Sequence, residues 1–416
     1  MIQYTRYVLV FLMLSAVSSV YGMNALKPHY YPWKPVFRNI PYSLQCAVYF
    51  EKGIGAAKIF DENNTTFNAL RLYGPDQNSI AMLAGFSPDS QPGKVGIPIE
   101  WDNGIRGHFC ASGKFDYDFG IGFSARYTFP YNVSLAAYLP AYKMRLHDVC
   151  WQDLTQQVTD QDLLVRDRLT NNLVGNVKEL GCCLDILGWE RAGLGDLVLM
   201  FEWMRAFPQG KPLLKNVDLD GRVGLSLPTG LKCDEDKIFA IPFGNDGAVG
   251  VIFAGGLRVT LGDAVRAGFD IELDHFFDNT RLRRIKIARN QTYPLFLPKN
   301  EAHIDWGMTQ QFNLYIEFIK IVGGLSVKAD YQFIRHGEDE ISLFGNCYSS
   351  TIANTALWLQ GYTMHNIIGS INYDFGLHIS PETRCKPSLM VFGKVPFNGQ
   401  FAIQATTVGF ILALDF

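Results

Sequence analysis

The last nine residues alternate strictly. Val408, Phe410, Leu412, Leu414 and Phe416 are apolar, and between them stand Gly409, Ile411, Ala413 and Asp415, small or polar except for Ile411. Successive side chains of a strand point to opposite faces, so this terminal strand has one oily face and one mostly small or polar face. Chain ends of soluble domains fray unless tied down. A strand of a transmembrane barrel needs this division, with lipid outside and a lumen inside. The pattern predicts a closed sheet in a membrane.

The same period runs through the chain. From Phe115 to Phe129 every odd residue is apolar (Phe115, Tyr117, Phe119, Ile121, Phe123, Ala125, Tyr127, Phe129), while the even ones include Asp116, Asp118 and Arg126. A period of two held this long argues strand and excludes helix. At ~3.3 Å per residue and ~40° of tilt the run rises roughly 35 Å, enough for an apolar band of ~25 Å and its aromatic girdles. Segments around 217–227, 265–274 and 325–334 repeat the alternation. No later segment has the roughly 20 apolar residues of a spanning helix, and irregular or open-edged backbone cannot face lipid. The expected class is all-β: a transmembrane antiparallel β-barrel with a partly helical loop.

The N-terminus reads as a signal peptide over 1–22. Arg6 is the basic element, Val8–Val17 the short apolar core, and Val20-Tyr21-Gly22 the small-residue exit. The net charge of −3 excludes a nucleic-acid partner, and the 13% aromatic content suits two girdles. The eight cysteines (46, 110, 150, 182, 183, 233, 347, 385) follow the expected cleavage point. An exported chain can pair them, the pairing is not fixed by sequence, and the spacings match no zinc site, so no metal or cofactor is expected.

About twelve strands are expected, at 103–112, 114–129, 131–147, 195–206, 217–228, 247–261, 264–277, 303–320, 325–336, 355–377, 388–396 and 402–416. If the last strand runs inward, counting back puts every long connection on one side (148–194, 229–246, 278–302, 337–354). Bacterial barrels have short periplasmic turns and long outer loops, so that side is outer and both termini are periplasmic. Turns fall at Ser112-Gly113 and Asn398-Gly399 outside, and at Pro130, Gly262-Asp263 and Gly323-Gly324 inside. The barrel then occupies 103–416, and 23–102, with weaker strand candidates near 44–51, is a periplasmic lead, a lumen plug or an added hairpin, the last giving fourteen strands. In 148–194, Leu169, Leu173, Val177, Leu180 and Leu184 recur at helical spacing, as a loop helix over the rim or a lid.

Charges avoid lipid at mid-depth, where Arg or Lys costs about 2–4 kcal/mol. The alternating charges Asp116, Asp118, Arg126, Arg222, Arg258, Arg266, Asp270, Glu272, Asp274, Lys328, Asp330 and Asp374 are therefore expected to line the lumen. They either pair across a shut barrel or line a water-filled path. The basic run Arg281, Arg283, Arg284, Lys286 and Arg289 reads as a solvated loop face or a contact for anionic headgroups. No G-x-S-x-G occurs and the histidines are scattered, so no enzyme is expected.

Gly193-Leu194-Gly195-Asp196 opening one strand, and Leu227-Pro228-Thr229-Gly230 closing the next, resemble barrels of the phenol meta-pathway, or aromatic-hydrocarbon uptake, type. These are similar to the wider fatty-acid transporter-like family. The terminal aromatic resembles the assembly signal of Gram-negative outer-membrane barrels, with Phe410, Leu412, Leu414 and Phe416 as its residues. The resemblance implies an outer-membrane location, lipid and the barrel-assembly machinery as partners, and passive transport of small molecules, hydrophobic ones among them. It covers about 195–416, and the hatch motif of the long-chain fatty-acid transporters is not evident. The other reading is a structural or surface-interaction barrel without a conducting pore.

Overall fold

The computed structural model describes residues 42–71, 77–100, 106–156, 158–319, 321–345, 347–378 and 385–416. Twelve antiparallel strands close into a barrel: β1 (Leu44–Gly53), β2 (His108–Phe129), β3 (Val133–Asp153), β4 (Leu197–Pro208), β5 (Leu214–Leu227), β6 (Gly250–Leu261), β7 (Val265–Phe276), β8 (Thr309–Phe318), β9 (Leu325–His336), β10 (Tyr362–Asp374), β11 (Lys386–Gln400) and β12 (Thr407–Asp415). Closure is made by β1, which pairs with β12 from Gln45↔Asp415 to Gly53↔Thr407 and with β2 from Leu44↔Tyr127 to Glu51↔Gly120. No edge remains for pairing with another chain.

The exterior of the barrel wall is the oily face. Val48, Phe123, Leu135, Phe201, Val223, Phe253, Ile271, Leu314, Ile316, Ile367, Val391, Phe410 and Leu412 are exposed, a contiguous apolar belt far larger than a soluble surface tolerates. Aromatics gather at its two edges. Tyr127 against Phe129, and Tyr373 against Phe375, sit at the short-turn end. Phe50 against Phe119, and His365 among Phe333, Tyr331 and Phe397, stand towards the other. No described helix is long and apolar enough to cross a membrane.

Short connections (130–132, 209–213, 262–264) alternate with long ones (54–107, 154–188, 228–249, 277–308, 337–361). All the long ones lie at the end opposite Leu44 and Asp415, which makes that end the outer one. This is the orientation obtained by counting back from Phe416.

Several boundaries differ. The barrel begins at Leu44, not at 103. The expected strands 103–112 and 114–129 are one strand, β2, and the expected turn at Ser112-Gly113 is a bulge, since the register to β3 slips between Ser112 and Lys114. Asn68 holds Gly113 there, accepting its N–H at 3.0 Å and donating to its carbonyl. One strand was gained and one lost, so the count and the in–out order survived. The part of the expected periplasmic lead or plug at 54–100 is instead an outer connection. Its Lys58–Phe60 strand pairs with Ile403-Gln404 beside the outer turn of β11–β12. Residues 1–41, and with them the expected signal peptide, lie outside the described residues. The expected strand 355–377 shortens to β10, because helical turns at Leu357–Leu359 and Phe375–Leu377 take its two ends, and 303–320 shortens to β8, because its first residues belong to an outer strand at Lys299–Asp305.

The long loops form a cap with a soluble-type core. Ile59, Phe60, Leu70, Met82, Phe115, Met144, Leu146, Leu169, Val177, Trp189, Phe239 and Phe243 pack in one cluster over the outer mouth. The loop helix is Leu173–Leu180, capped by the Asn172 side chain. Leu169, Leu173, Val177 and Leu184 are buried in the cap core, so the apolar face does pack over the rim. A three-stranded outer sheet (Asn279–Arg284, Lys299–Asp305, Glu340–Leu343) holds a second cluster around Phe296, Trp306 and Ile341.

Candidate functional site

The period of two turns every second residue of β4–β10 into the barrel, and many of those residues are charged or amidic. Arg126 on β2 donates to Glu202 on β4 through Nε at 2.7 Å and Nη2 at 3.1 Å, and to Gln45 on β1 at 2.9 Å. Tyr138 on β3 donates to the same Glu202 at 3.1 Å. Two strands on, Arg222 reaches Asp270 at 3.1 Å and Asp220 at 3.1 Å. Arg258 donates to the Tyr315 hydroxyl at 3.2 Å, and Arg266 faces Glu317 at 3.6 Å. Lys328 pairs with Asp330 at 2.8 Å and lies over the Tyr315 ring at 4.1 Å. Asp270, Glu272 and Asp274 all turn inward from β7.

Arg126, Arg222, Arg258, Arg266, Asp270, Glu272, Asp274, Lys328 and Asp330 thus share the interior, as alternation requires. Asp374 sits at the inner rim, where its carboxylate accepts the Gly376 N–H at 2.9 Å and caps the turn after β10. Asp116 and Asp118 do not line the interior. A second bulge in β2, between Tyr117 and Phe119, exchanges the faces of the strand. Below it Ile121, Phe123 and Tyr127 face lipid and Arg126 faces in; above it Phe115 and Tyr117 turn into the cap core. Asp116 and Asp118 are thereby on the outer surface of the wall, held by Arg145 at 3.0 and 3.2 Å, with His147 on Asp116 at 2.9 Å. An unbroken period in sequence conceals such an exchange, because the inserted residue is Asp between two aromatics.

The interior residues that sequence reasoning missed include Gln45 and Glu51 on β1, whose segment reads only as a weaker strand candidate, and Glu202, Gln311, Asn313 and Glu317, whose parity on expected strands is signal enough. An apolar cluster shares the interior with these groups: Tyr49 and Phe392 stack at 5.6 Å, beside Met200, Ile252 and Ile411. The barrel interior therefore holds buried polar networks and an apolar patch together.

The two motif segments meet at the rim. Asp196, nearly fully buried, accepts the backbone N–H of Gly230 at 2.8 Å and of Asn245 at 2.5 Å. Thr229 Oγ1 donates to the Gly195 carbonyl at 3.0 Å and accepts the Leu197 N–H at 2.9 Å. A Cβ on Gly244 would stand 2.4 Å from the Asp196 carboxylate, so only glycine fits. One carboxylate therefore ties both ends of loop 228–249. Arg191 fixes its middle, donating to the Ala240 and Ile241 carbonyls at 3.0 and 2.7 Å. The tip sets Phe239 against Phe115, centroids 5.4 Å apart.

The basic run is neither a solvated face nor a headgroup contact. Arg281 and Arg283 both bind Asp246, and Arg284 donates to the Leu297 and Gly181 carbonyls at 2.6 and 2.8 Å. They knit the outer loops together. Burial pushes the carboxyl of the neighbouring Glu235 up from its ordinary range. Among the described residues no cysteine is in a disulfide and no cluster could hold a metal.

Two hydroxyl–imidazole–carboxylate chains stand among the described residues. In the outer sheet Thr280 Oγ1 lies 3.0 Å from His303 Nδ1, and His303 Nε2 lies 2.8 Å from Asp278. The other is buried. Thr309 Oγ1 lies 2.8 Å from His336 Nδ1, and His336 Nε2 lies 2.9 Å from Asp339. Thr309 is 1% exposed and the Tyr362 ring stacks on His336 at 5.3 Å. A substrate carbonyl has no approach to that hydroxyl, and Asp339 also accepts the Gly307 N–H at 2.8 Å. The chain fastens the loop after β9.

No protein-family profile matches the chain, and no curated protein resembles it at a significant level. Solved structures do. An outer-membrane channel of Pseudomonas putida F1 aligns with TM-score 0.50 and 11% identity over 92% of this chain and 99% of its own. The toluene transporter TbuX of Ralstonia pickettii aligns at 0.30 and 9%, over 90% and 89%. Outer-membrane phospholipase A of Escherichia coli aligns at 0.27 and 10%, over 94% and 95%. Likeness at these identities is one of fold, and the fold is that of an outer-membrane β-barrel.

Proposed function

We propose that the chain is a passive conduit for small molecules across the outer membrane of a Gram-negative-type bacterium, exported by a cleaved signal peptide over 1–22. The observation that carries this reading is the interior itself. Arg222, Arg258, Arg266 and the three carboxylates Asp270, Glu272 and Asp274 turn inward, and a water-filled path is tuned by such groups. The lipid partner is the exposed belt, and the assembly machinery is proposed to read Phe410, Leu412, Leu414 and Phe416 on the last strand. The chain is proposed to be no enzyme; its Thr309–His336–Asp339 relay is sealed from substrate. A hydrocarbon, the solute the resemblance implies, would find one apolar patch around Tyr49 and Phe392 and polar groups elsewhere.

A structural barrel without a pore is the second reading. The interior ion pairs and the packed cap favour it. Swelling of proteoliposomes in isotonic solutes separates the two: uptake of small solutes above protein-free vesicles supports the conduit. Folded, heat-modifiable protein without uptake supports the structural barrel.

A further inference from the structure

We infer that the lipid face carries a groove that holds one phospholipid acyl chain, entered from the periplasmic leaflet. The inference goes beyond the transport reading and applies to an open and a closed barrel alike. It starts from the register of the wall. In one row the outward residue is small on three successive strands: Cys46 on β1 stands opposite Ala125 on β2, and Ala125 opposite Ala137 on β3. The rows on either side are bulky. Val48, Phe123 and Leu139 align above, and Leu44, Tyr127 and Leu135 below. Leu414 on β12 faces Cys46 at one end, and Leu199 on β4 faces Ala137 at the other.

The small row and the ridge above it line an apolar groove of about 400 Å³. Of its outward side chains only Cys46 bears a polar atom, a thiol that behaves as a small hydrophobe. From β12 to β4 the groove crosses four strand spacings, ~19 Å. An apolar hollow does not take up water, and an empty one leaves its lining atoms without packing partners. The groove is continuous with the exposed belt, whose neighbour is the bilayer, so the occupant is hydrocarbon. Small residues on a lipid-facing surface let a partner approach closely, and packing then holds it. A single flexible chain can lie between the two ridges. The wall of a second barrel is kept off by Phe123 and Leu135, both more than half exposed. The leaflet follows from depth: Ala125 stands one row above Tyr127 of the inner girdle, and Leu414 is two residues from the chain end.

The test is native mass spectrometry of the full-length protein extracted from outer membranes in a mild detergent. The wild type should keep one phospholipid per barrel through detergent exchange. Ala125→Leu/Ala137→Leu fills the groove with a side chain common elsewhere on the belt. It should lower retention severalfold while heat-modifiable migration persists. If that variant does not fold, the wild type in vesicles of phosphatidylethanolamine with a photoreactive tail gives the second readout. Cross-links should then concentrate on the lipid-facing residues of β1, β2 and β3 over those of β8 and β10. Wild type without retained phospholipid, equal retention by the variant, or cross-links spread evenly around the belt overturn the inference. A dimer that the variant dissolves overturns it too, by making a second copy of the chain the occupant.

Discussion

Removing the Asp196 carboxylate should open the cap without unfolding the barrel. Asp196→Ala deletes the acceptor of two buried backbone N–H groups, those of Gly230 and Asn245. Hydrogen bonds to a charged group are each worth about 1.5–3 kcal/mol, so the loss is about 3–5 kcal/mol. The loss is local, because Asp196 is the junction of loop 228–249 with the wall and the ladder from β4 to β5 starts beyond it. At 1.4 kcal/mol per factor of ten, amide exchange at Gly230 and Asn245 should accelerate roughly a hundredfold or more. Trypsin should cut at Lys232 or Lys237 in the loop, while heat-modifiable migration of the barrel persists. Asp196→Asn keeps one acceptor oxygen and should lie about halfway. Unchanged exchange and cleavage in Asp196→Ala would refute the assignment of this carboxylate as the tie of the loop.

Three other outcomes follow from the same geometry. Glu202→Ala strands Arg126 in the interior, and breaking a buried pair from one side costs about 3–5 kcal/mol; denaturant unfolding in lipid should show it, with Arg126→Met/Glu202→Leu recovering much of the loss. Leu412→Arg puts a charge on the lipid face and should cost about 2–4 kcal/mol, visible as reduced folding yield into vesicles. Hydrogen bonding from Arg106 holds the Asp162 carboxyl down at about 2, with the Thr159 contacts of its capping box acting in the same direction. A depressed carboxyl stabilises above its ordinary value and loses that contribution as pH falls through the folded value. Pepsin cleavage within 154–188 should therefore rise between about pH 4 and pH 2, and Asp162→Asn should be cleaved readily across the whole range.

The membrane-facing half of the structure was legible because lipid enforces a period of two with no exceptions at mid-depth. The inner-face assignments of Arg222, Asp270 and Lys328 follow from that rule alone. Sequence reading failed where a strand leaves the bilayer. Above the belt, β2 turns Phe115 and Tyr117 into a protein core, so apolar no longer means outward, and a single bulge re-aims Asp116 and Asp118. Leu44–Gly53 reads only as a weaker strand candidate because two of its inward residues, Ala47 and Tyr49, are as apolar as its outward ones, a consequence of facing Phe392 and Ile411. The tie at Asp196 could be suspected from the two motifs but not placed, since it joins residues through space across two strands.

Single-channel recording of the wild type beside Asp196→Ala tests the central claim, that this is a conduit closed by its own outer loops. The expected result is sparse or small conductance from the wild type and larger, longer-lived conductance from the variant, both from folded, heat-modifiable protein. Silence from both would contradict it and leave a barrel whose paired interior serves only to hold the wall together.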